Sequence, residues 1–167
     1  MDENFGEPLL GADWGFSVDP TTLIKSYIHN NTLYVRSEAY KVNCEVDHTP
    51  DLFKSVDQSK DYSILADSAR PEMISFLKRA GYKIKAAEKW SGCVEDRVTY
   101  MRSFEQIVIH PDCKHTAEEF RLYQYKTDKR TDEVLPKLDD KHNHCIDAIG
   151  YSITPIIRKK QSNWTIT

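Results

Sequence analysis

No apolar run in this 167-residue sequence approaches the roughly 20 residues that a membrane span requires. The N-terminus, MDENFGEPLL, is acidic and has neither a basic start nor an apolar core, so nothing in it directs the chain out of the cytoplasm. Cysteine is scarce. Cys44, Cys93, Cys113 and Cys145 are scattered without a CxxC pair, which argues against a disulfide framework and a zinc knuckle and for reduced thiols. His110, His115 and His142 beside Cys113 and Cys145 fit no zinc spacing either. Positive charge is not in excess: the net charge is -3, without the dense Lys/Arg clusters that phosphate neutralisation requires. Lys83, Lys85, Lys89, Arg97 and Arg102 do fall close together, and residues 158–160 add a short basic run, but a solvated face accounts for such runs. Repeats, low-complexity tracts and Pro/Gly/Ser linkers are absent, and the length suits one domain, residues 1–167, with one substantial core.

What is present is regular. PLLGADWGF reads as a buried strand, with Gly11 and Gly15 read as turn chemistry around Asp13. Residues 21–27 and 32–40 are β-rich and flank His29, Asn30 and Asn31, which predicts a hairpin and hence three antiparallel strands at the start. VDHTPDLFKSVDQ is predicted helical, with Thr49 as N-cap before Pro50. DYSILADSA is an apolar strand ending at Asp67, followed by a helix in RPEMISFLKRAGY that stops at Gly81. YKIKAAEKW is β-like, and Val94, Val98 and Met101 recur at helical spacing after it. QIVIHP reads as a short strand and TAEEFRLYQY as a helix. The stretch 126–141 is polar, turn-rich and long for a connection, a candidate flap over a site. The last helix carries Ile146, Ile149 and Ile153 on one face. Hairpin strands followed by strands alternating with helices predict an α/β fold, a mixed sheet of antiparallel and parallel strands with helices on both faces.

In such sheets reactive groups gather where strands end. Asp13 and Asp67 both end strands, and the first strand of a hairpin series can neighbour the first strand after a crossover helix. His144 and Asp147 are three residues apart on the last helix and face the same way. Packed across the strand ends, that helix would bring a third carboxylate and a histidine to the first two. Converging carboxylates repel one another, and hard divalent cations resolve the repulsion. Two ions about 4 Å apart can stabilise both the attacking and the leaving oxygen of a phosphodiester, so the expected chemistry is metal-dependent hydrolysis of nucleic acid.

GADWGFSVDPTTLI, ILADSARPEMISFLKRAGY, AAEKWSGCVEDRVTYM and HNHCIDAIGY occur in an order and spacing that resembles the C-terminal nuclease domain of large terminase subunits, the DNA-packaging motors of tailed bacteriophages and prophages. The resemblance spans about residues 6–157. It implies an RNase H-like fold and an endonuclease that cuts concatemeric double-stranded viral DNA. It also implies two Mg2+ or Mn2+ ions, with Asp13 bridging both, Asp67 on one, Asp147 completing the second, and His144 on a metal or its water. Lys83, Lys89 and Arg97 are candidate DNA contacts, and Asp139 and Asp140 candidate auxiliary ligands, each weighed against a plain surface or turn role. The implied partners are DNA and, in the intact protein, an ATPase domain, a small terminase subunit and the portal; the implied setting is the cytoplasm of an infected or lysogenic bacterial host, with no membrane contact. The chain lacks a GxxxxGK[ST] loop, so it reads as an excised nuclease domain that does not hydrolyse ATP. The sequence departs from the family pattern at Arg97, which stands where glycine is usual, and in the final motif, where Ile149 and Gly150 replace leucine and arginine.

Other readings keep parts of this evidence. Actin-like and sugar-kinase ATPases also open with a strand and an Asp-x-Gly turn, but they need a second similar domain and leave the DAIGY carboxylate without a role. A Holliday-junction resolvase or another RNase H-like nuclease would use the same carboxylates on a different substrate. A catalytically idle DNA-binding or assembly module would carry them without using them.

Overall fold

The computed structural model describes residues 5–128 and 143–163. β1 (Leu9–Asp13), β2 (Pro20–His29) and β3 (Thr32–Val42) form an antiparallel meander. The tight end of the β2–β3 hairpin is Asn30–Asn31, both at positive φ (49° and 56°), the conformation of a two-residue turn that asparagine tolerates. A short helix, α1 (Thr49–Lys54), leads to β4 (Ile64–Ala66), α2 (Pro71–Arg79), β5 (Ile84–Ala86), α3 (Cys93–Arg102) and β6 (Gln106–Ile109). Two longer helices follow, α4 (Lys114–Asp128) and α5 (His144–Ser162). The strands make one six-stranded sheet in the order β5-β4-β1-β2-β3-β6, in which β4 runs parallel to β1, β5 parallel to β4, and β6 parallel to β3.

Period-two alternation along the strands divides the core between the two faces. On one face Leu10, Ala12, Leu23, Ile64 and Ala66 pack with Phe53 of α1 and Met73 and Leu77 of α2. On the other, Ile24, Leu33 and Val35 pack with Met101 of α3 and Ile146, Ile149 and Ile153 of α5. The isoleucines repeat at three and four residues, the stripe by which a helix lies flat on a sheet.

The structure revises three local expectations. Gly11 is not a turn former: it sits within β1, and a methyl group there would fall 1.7 Å from the carbonyl oxygen of Ala148, so glycine lets α5 pack directly on the strand. Thr49 is the first residue of α1 rather than its cap; His48 precedes the helix, and the Thr49 hydroxyl turns back to the Glu45 carbonyl. On α3 the inward face includes Arg97 and Met101, while Val94 is 47% exposed, so the helix is rotated from the face that its valines suggest. Asp139, Asp140, His142 and nearly all of the candidate flap lie outside the described residues; α4 itself continues through Asp128.

Candidate active site

Asp13 is the last residue of β1, and Asp67 directly follows β4. Ala12 and Ala66 are parallel partners, and the Asp67 amide donates to the Ala12 carbonyl (3.1 Å), carrying the pairing one step past the strand. The two aspartates therefore end adjacent strands at the same edge. Ala12 and Ala66 belong to the core beneath α1 and α2, so by alternation Asp13 and Asp67 face the opposite side, toward α5. The Trp14 indole N–H donates to the Asp67 carbonyl (2.9 Å) and fastens the two strand ends together.

α5 supplies the rest. Its first backbone bond runs from the Asp147 amide to Asn143 O (2.7 Å), placing His144 and Asp147 on its opening turn. The His144 ring sits between two carboxylates: Nδ1 is 3.2 Å from Asp13 Oδ2, and Nε2 is 3.5 Å from Asp19 Oδ1. The second contact is an ion-pair distance without hydrogen-bond geometry, leaving Nε2 buried and without a hydrogen-bond partner. Thr22, opposite Asp13 in the sheet, donates its hydroxyl to the His144 carbonyl (3.4 Å).

The electrostatics of the site are those of carboxylates held against their preference. Burial pushes Asp13 above the ordinary aspartate value; the hydrogen bond and charge of His144 oppose this, and Asp67 adds to it. Asp147 is pushed up to about 8, by burial first and then by the charge of Asp13. His144 is raised by its hydrogen bond to Asp13, against the opposing effect of burial. Burial, followed by the charges of Asp13, Asp147 and Asp67, drives the Tyr151 phenol far above its usual value.

Three features were not visible in the sequence. Glu119, 5% exposed, reaches from α4 to accept the Cys145 amide (2.8 Å) and the Ile146 amide (3.1 Å), satisfying otherwise orphaned donors in the first turn of α5. Asp19, before Pro20, resembles an ordinary turn residue until α5 brings His144 beside it. Arg97 is 6% exposed, and its guanidinium is engaged by the Thr154 hydroxyl (3.1 Å) and the Glu88 carbonyl (2.9 Å). That corrects its assignment as a DNA contact. Lys83 is exposed before β5, at the end of the strand away from the carboxylates, and donates to the Asp61 carbonyl. Lys89 stands at the site, with Nζ 3.8 Å from Asp67 Oδ1 and its side chain 56% exposed.

The donors are all hard oxygens plus one imidazole, chemistry that suits Mg2+ and Mn2+. Among the described residues no three His, Cys, Asp or Glu side chains are close enough to enclose an ion unaided. Mg2+ ordinarily keeps several waters and takes one or two carboxylates together with substrate phosphate, so a half-open donor set of this kind fits it. The raised Asp147 carboxyl and the unpartnered His144 Nε2 fit it as well, because an added cation relieves the first and a bound water can satisfy the second.

The chain matches the family described as "Terminase RNAseH like domain" over residues 13–154. It is 30% identical over 157 residues to the terminase large subunit of Bacillus phage SPP1, covering 89% of this chain and 36% of that protein. It is 22% identical to the PBSX phage terminase large subunit of Bacillus subtilis, covering 86% of this chain and 33% of the relative. The chain therefore spans about a third of the length of these curated relatives. Among solved structures, the large terminase nuclease domain of bacteriophage SPP1 with bound Mn superposes with a TM-score of 0.77 at 26% identity, covering 92% of this chain and 88% of that one. The P22 large terminase nuclease domain superposes with a TM-score of 0.68 at 12% identity over 93% of this chain and 84% of that one, a likeness of fold alone. The mixed six-stranded sheet is the RNase H-like arrangement of that group, and the chain belongs to the terminase RNase H-like domain family.

Proposed function

We propose that this domain is a divalent-metal-dependent endonuclease that cuts double-stranded viral DNA concatemers during genome packaging, as the nuclease part of a terminase large subunit. The observation that carries the reading is the parallel pairing of β1 with β4, which brings Asp13 and Asp67 to neighbouring strand ends on the face that α5 covers with Asp147. The SPP1 relative solved with bound Mn supports the choice of cation. Asp13, Asp67 and Asp147 are the residues that would hold the cations. Bound there, Mg2+ or Mn2+ supplies an activated water and charge stabilisation for the attacking and leaving oxygens of a phosphodiester.

The chain's own residues prepare for this. His144 orients Asp13 through Nδ1, which makes it a positioning residue, and its buried Nε2, 3.5 Å from Asp19 Oδ1, has no hydrogen-bond partner and can take a water. Glu119 fixes the turn that carries both His144 and Asp147. Asp67 is held by a bond from the Ala69 amide to Oδ1 (3.0 Å), leaving Oδ2 for a cation. Lys89, exposed beside Asp67, is the described candidate for contact with a DNA phosphate. The companion ATPase domain, small subunit and portal, and the bacterial host cytoplasm, belong to the same reading. Among the described residues no helix is long and apolar enough to cross a membrane.

Cleavage of supercoiled plasmid with Mn2+, Mg2+ or EDTA, alongside Asp67→Ala, tests the reading. Cutting that needs metal and disappears in the variant supports it. A folded wild-type protein that leaves plasmid intact with every ion, yet binds DNA, would favour an idle module. Preferential cutting of four-way junctions over linear duplex would favour a junction resolvase.

A further inference from the structure

Arg97 is a buried cation in a protein whose neighbouring functional groups are acids, and no part of the reading above uses it. Its stem lies across α5 at Gly150, where an added methyl group would sit 3.1 Å from Arg97 Cδ and 3.5 Å from Cβ. From that seat the guanidinium reaches in two directions. Nε donates to the Thr154 hydroxyl (3.1 Å) on α5, and Nη2 donates to the Glu88 carbonyl (2.9 Å) in the segment after β5. Two rings lie near the guanidinium: its central carbon is 5.3 Å from the Trp90 centroid and 4.9 Å from the Tyr151 centroid. Asp147 lies one helical turn before Tyr151, and Lys89, next to Glu88, pairs with Asp67. One planar side chain thus ties the helix that presents Asp147 to the segment that lies against Asp67.

We infer that Arg97 is a positioning residue of the metal site, a clamp that fixes the spacing between the Asp147 helix and the Asp67 edge, with Gly150 as its seat. The inference rests on the nuclease reading for its purpose, not for its geometry. One end of the clamp is the helix that carries Asp147 and the other is the segment whose Lys89 pairs with Asp67, so the clamp bears on the spacing between those two carboxylates. Only arginine suits the position. A lysine ammonium is a compact point charge that cannot span the Thr154 hydroxyl and the Glu88 carbonyl with a rigid fork.

Backbone hydrogen exchange on the metal-free protein, followed by Mn2+ titration, tests the inference on wild type, Arg97→Met and Arg97→Lys. Arg97→Met keeps the stem's bulk, and Arg97→Lys keeps the charge and guards against a Met variant that fails to fold. The expected result is faster exchange at both 86–90 and 144–151, with Mn2+ affinity down about tenfold or more in Met and severalfold in Lys, within the range for residues that support metal ligands. A folded Arg97→Met or Arg97→Lys that exchanges like wild type at both segments overturns the clamp. So does faster exchange with Mn2+ affinity within twofold of wild type, which would make Arg97 a packing residue only. A wild-type protein that takes up no Mn2+ would instead sink the nuclease reading, and the exchange comparison would still decide whether the clamp exists.

Discussion

The two faces of the sheet are built from the same strands and are loaded differently. Under α1 and α2 the core is mainly apolar and aromatic: Trp14 stacks on Phe53 at 6.0 Å, Phe53 meets Tyr82 edge-on, and buried Lys25 donates its ammonium to the Gln58 side chain. Under α3, α4 and α5 the isoleucine stripe is interrupted by buried Glu119, His144, Arg97, Ser152 and Thr154. Buried polar and charged groups cost free energy unless they are partnered, and here most partners are reached across long stretches of chain. The lesson is a division of labour: one face is packed mainly with apolar side chains, while the other carries the buried polar groups around Asp13, His144 and Asp147.

Substitutions on the two faces should therefore separate activity from stability. Asp147→Asn is expected to lower DNA cleavage by about 10²- to 10³-fold, the scale of losing one electrostatic group in a preorganised site. Its metal-free melting temperature at pH 8 should be unchanged or higher, because a carboxylate that resists ionisation has been removed. Phe53→Ala, on the apolar face, should show the converse: about 3–5 kcal/mol of stability lost by denaturant titration, with cleavage per folded molecule unchanged. Gly11→Ala joins the two regimes, since its methyl drives α5 off β1; about 1–3 kcal/mol is the expected cost, accompanied by weaker Mn2+ binding.

The same groups predict a dependence on pH. Folded Asp147 keeps its proton up to about pH 8, whereas the unfolded chain releases it near 3.8, so between those values the folded state binds more protons and the metal-free protein loses stability as pH rises. Asp13 acts in the same direction. His144, raised above 6.5, adds stability that is present below pH 6.5 and lost as pH climbs through its folded value. Thermal melts in EDTA should slope downward across this window and flatten in Asp147→Asn. In Mn2+ the slope should reverse, because metal binding ejects the protons.

How much of this was legible in the sequence follows from the distance over which each feature is determined. The meander was readable from β-rich runs around Asn30 and Asn31, because a two-residue turn at positive φ is a local property. Asp13 and Asp67 were readable as neighbours because a crossover between parallel strands leaves few alternatives. His144 and Asp147 shared a face by helical spacing alone. Gly11 was misread because its cause, the Ala148 carbonyl, is a tertiary contact that mimics a turn signal. Glu119 was invisible for the same reason: in TAEEF nothing separates it from exposed Glu118 until α5 docks its amides on it. Arg97 was misassigned because a basic residue in a basic run reads as surface, and its burial depends on the absence of a side chain at Gly150.

The central claim is that Asp13, Asp67 and Asp147 together take up divalent cations. Its most direct test is calorimetric titration of the metal-free protein with Mn2+ at pH 8, beside Asp13→Asn. Two ions per chain, with proton release on binding and loss of both in the variant, is the expected result. A wild-type protein that stays folded and binds no Mn2+, or an Asp13→Asn variant that binds as wild type does, would contradict it.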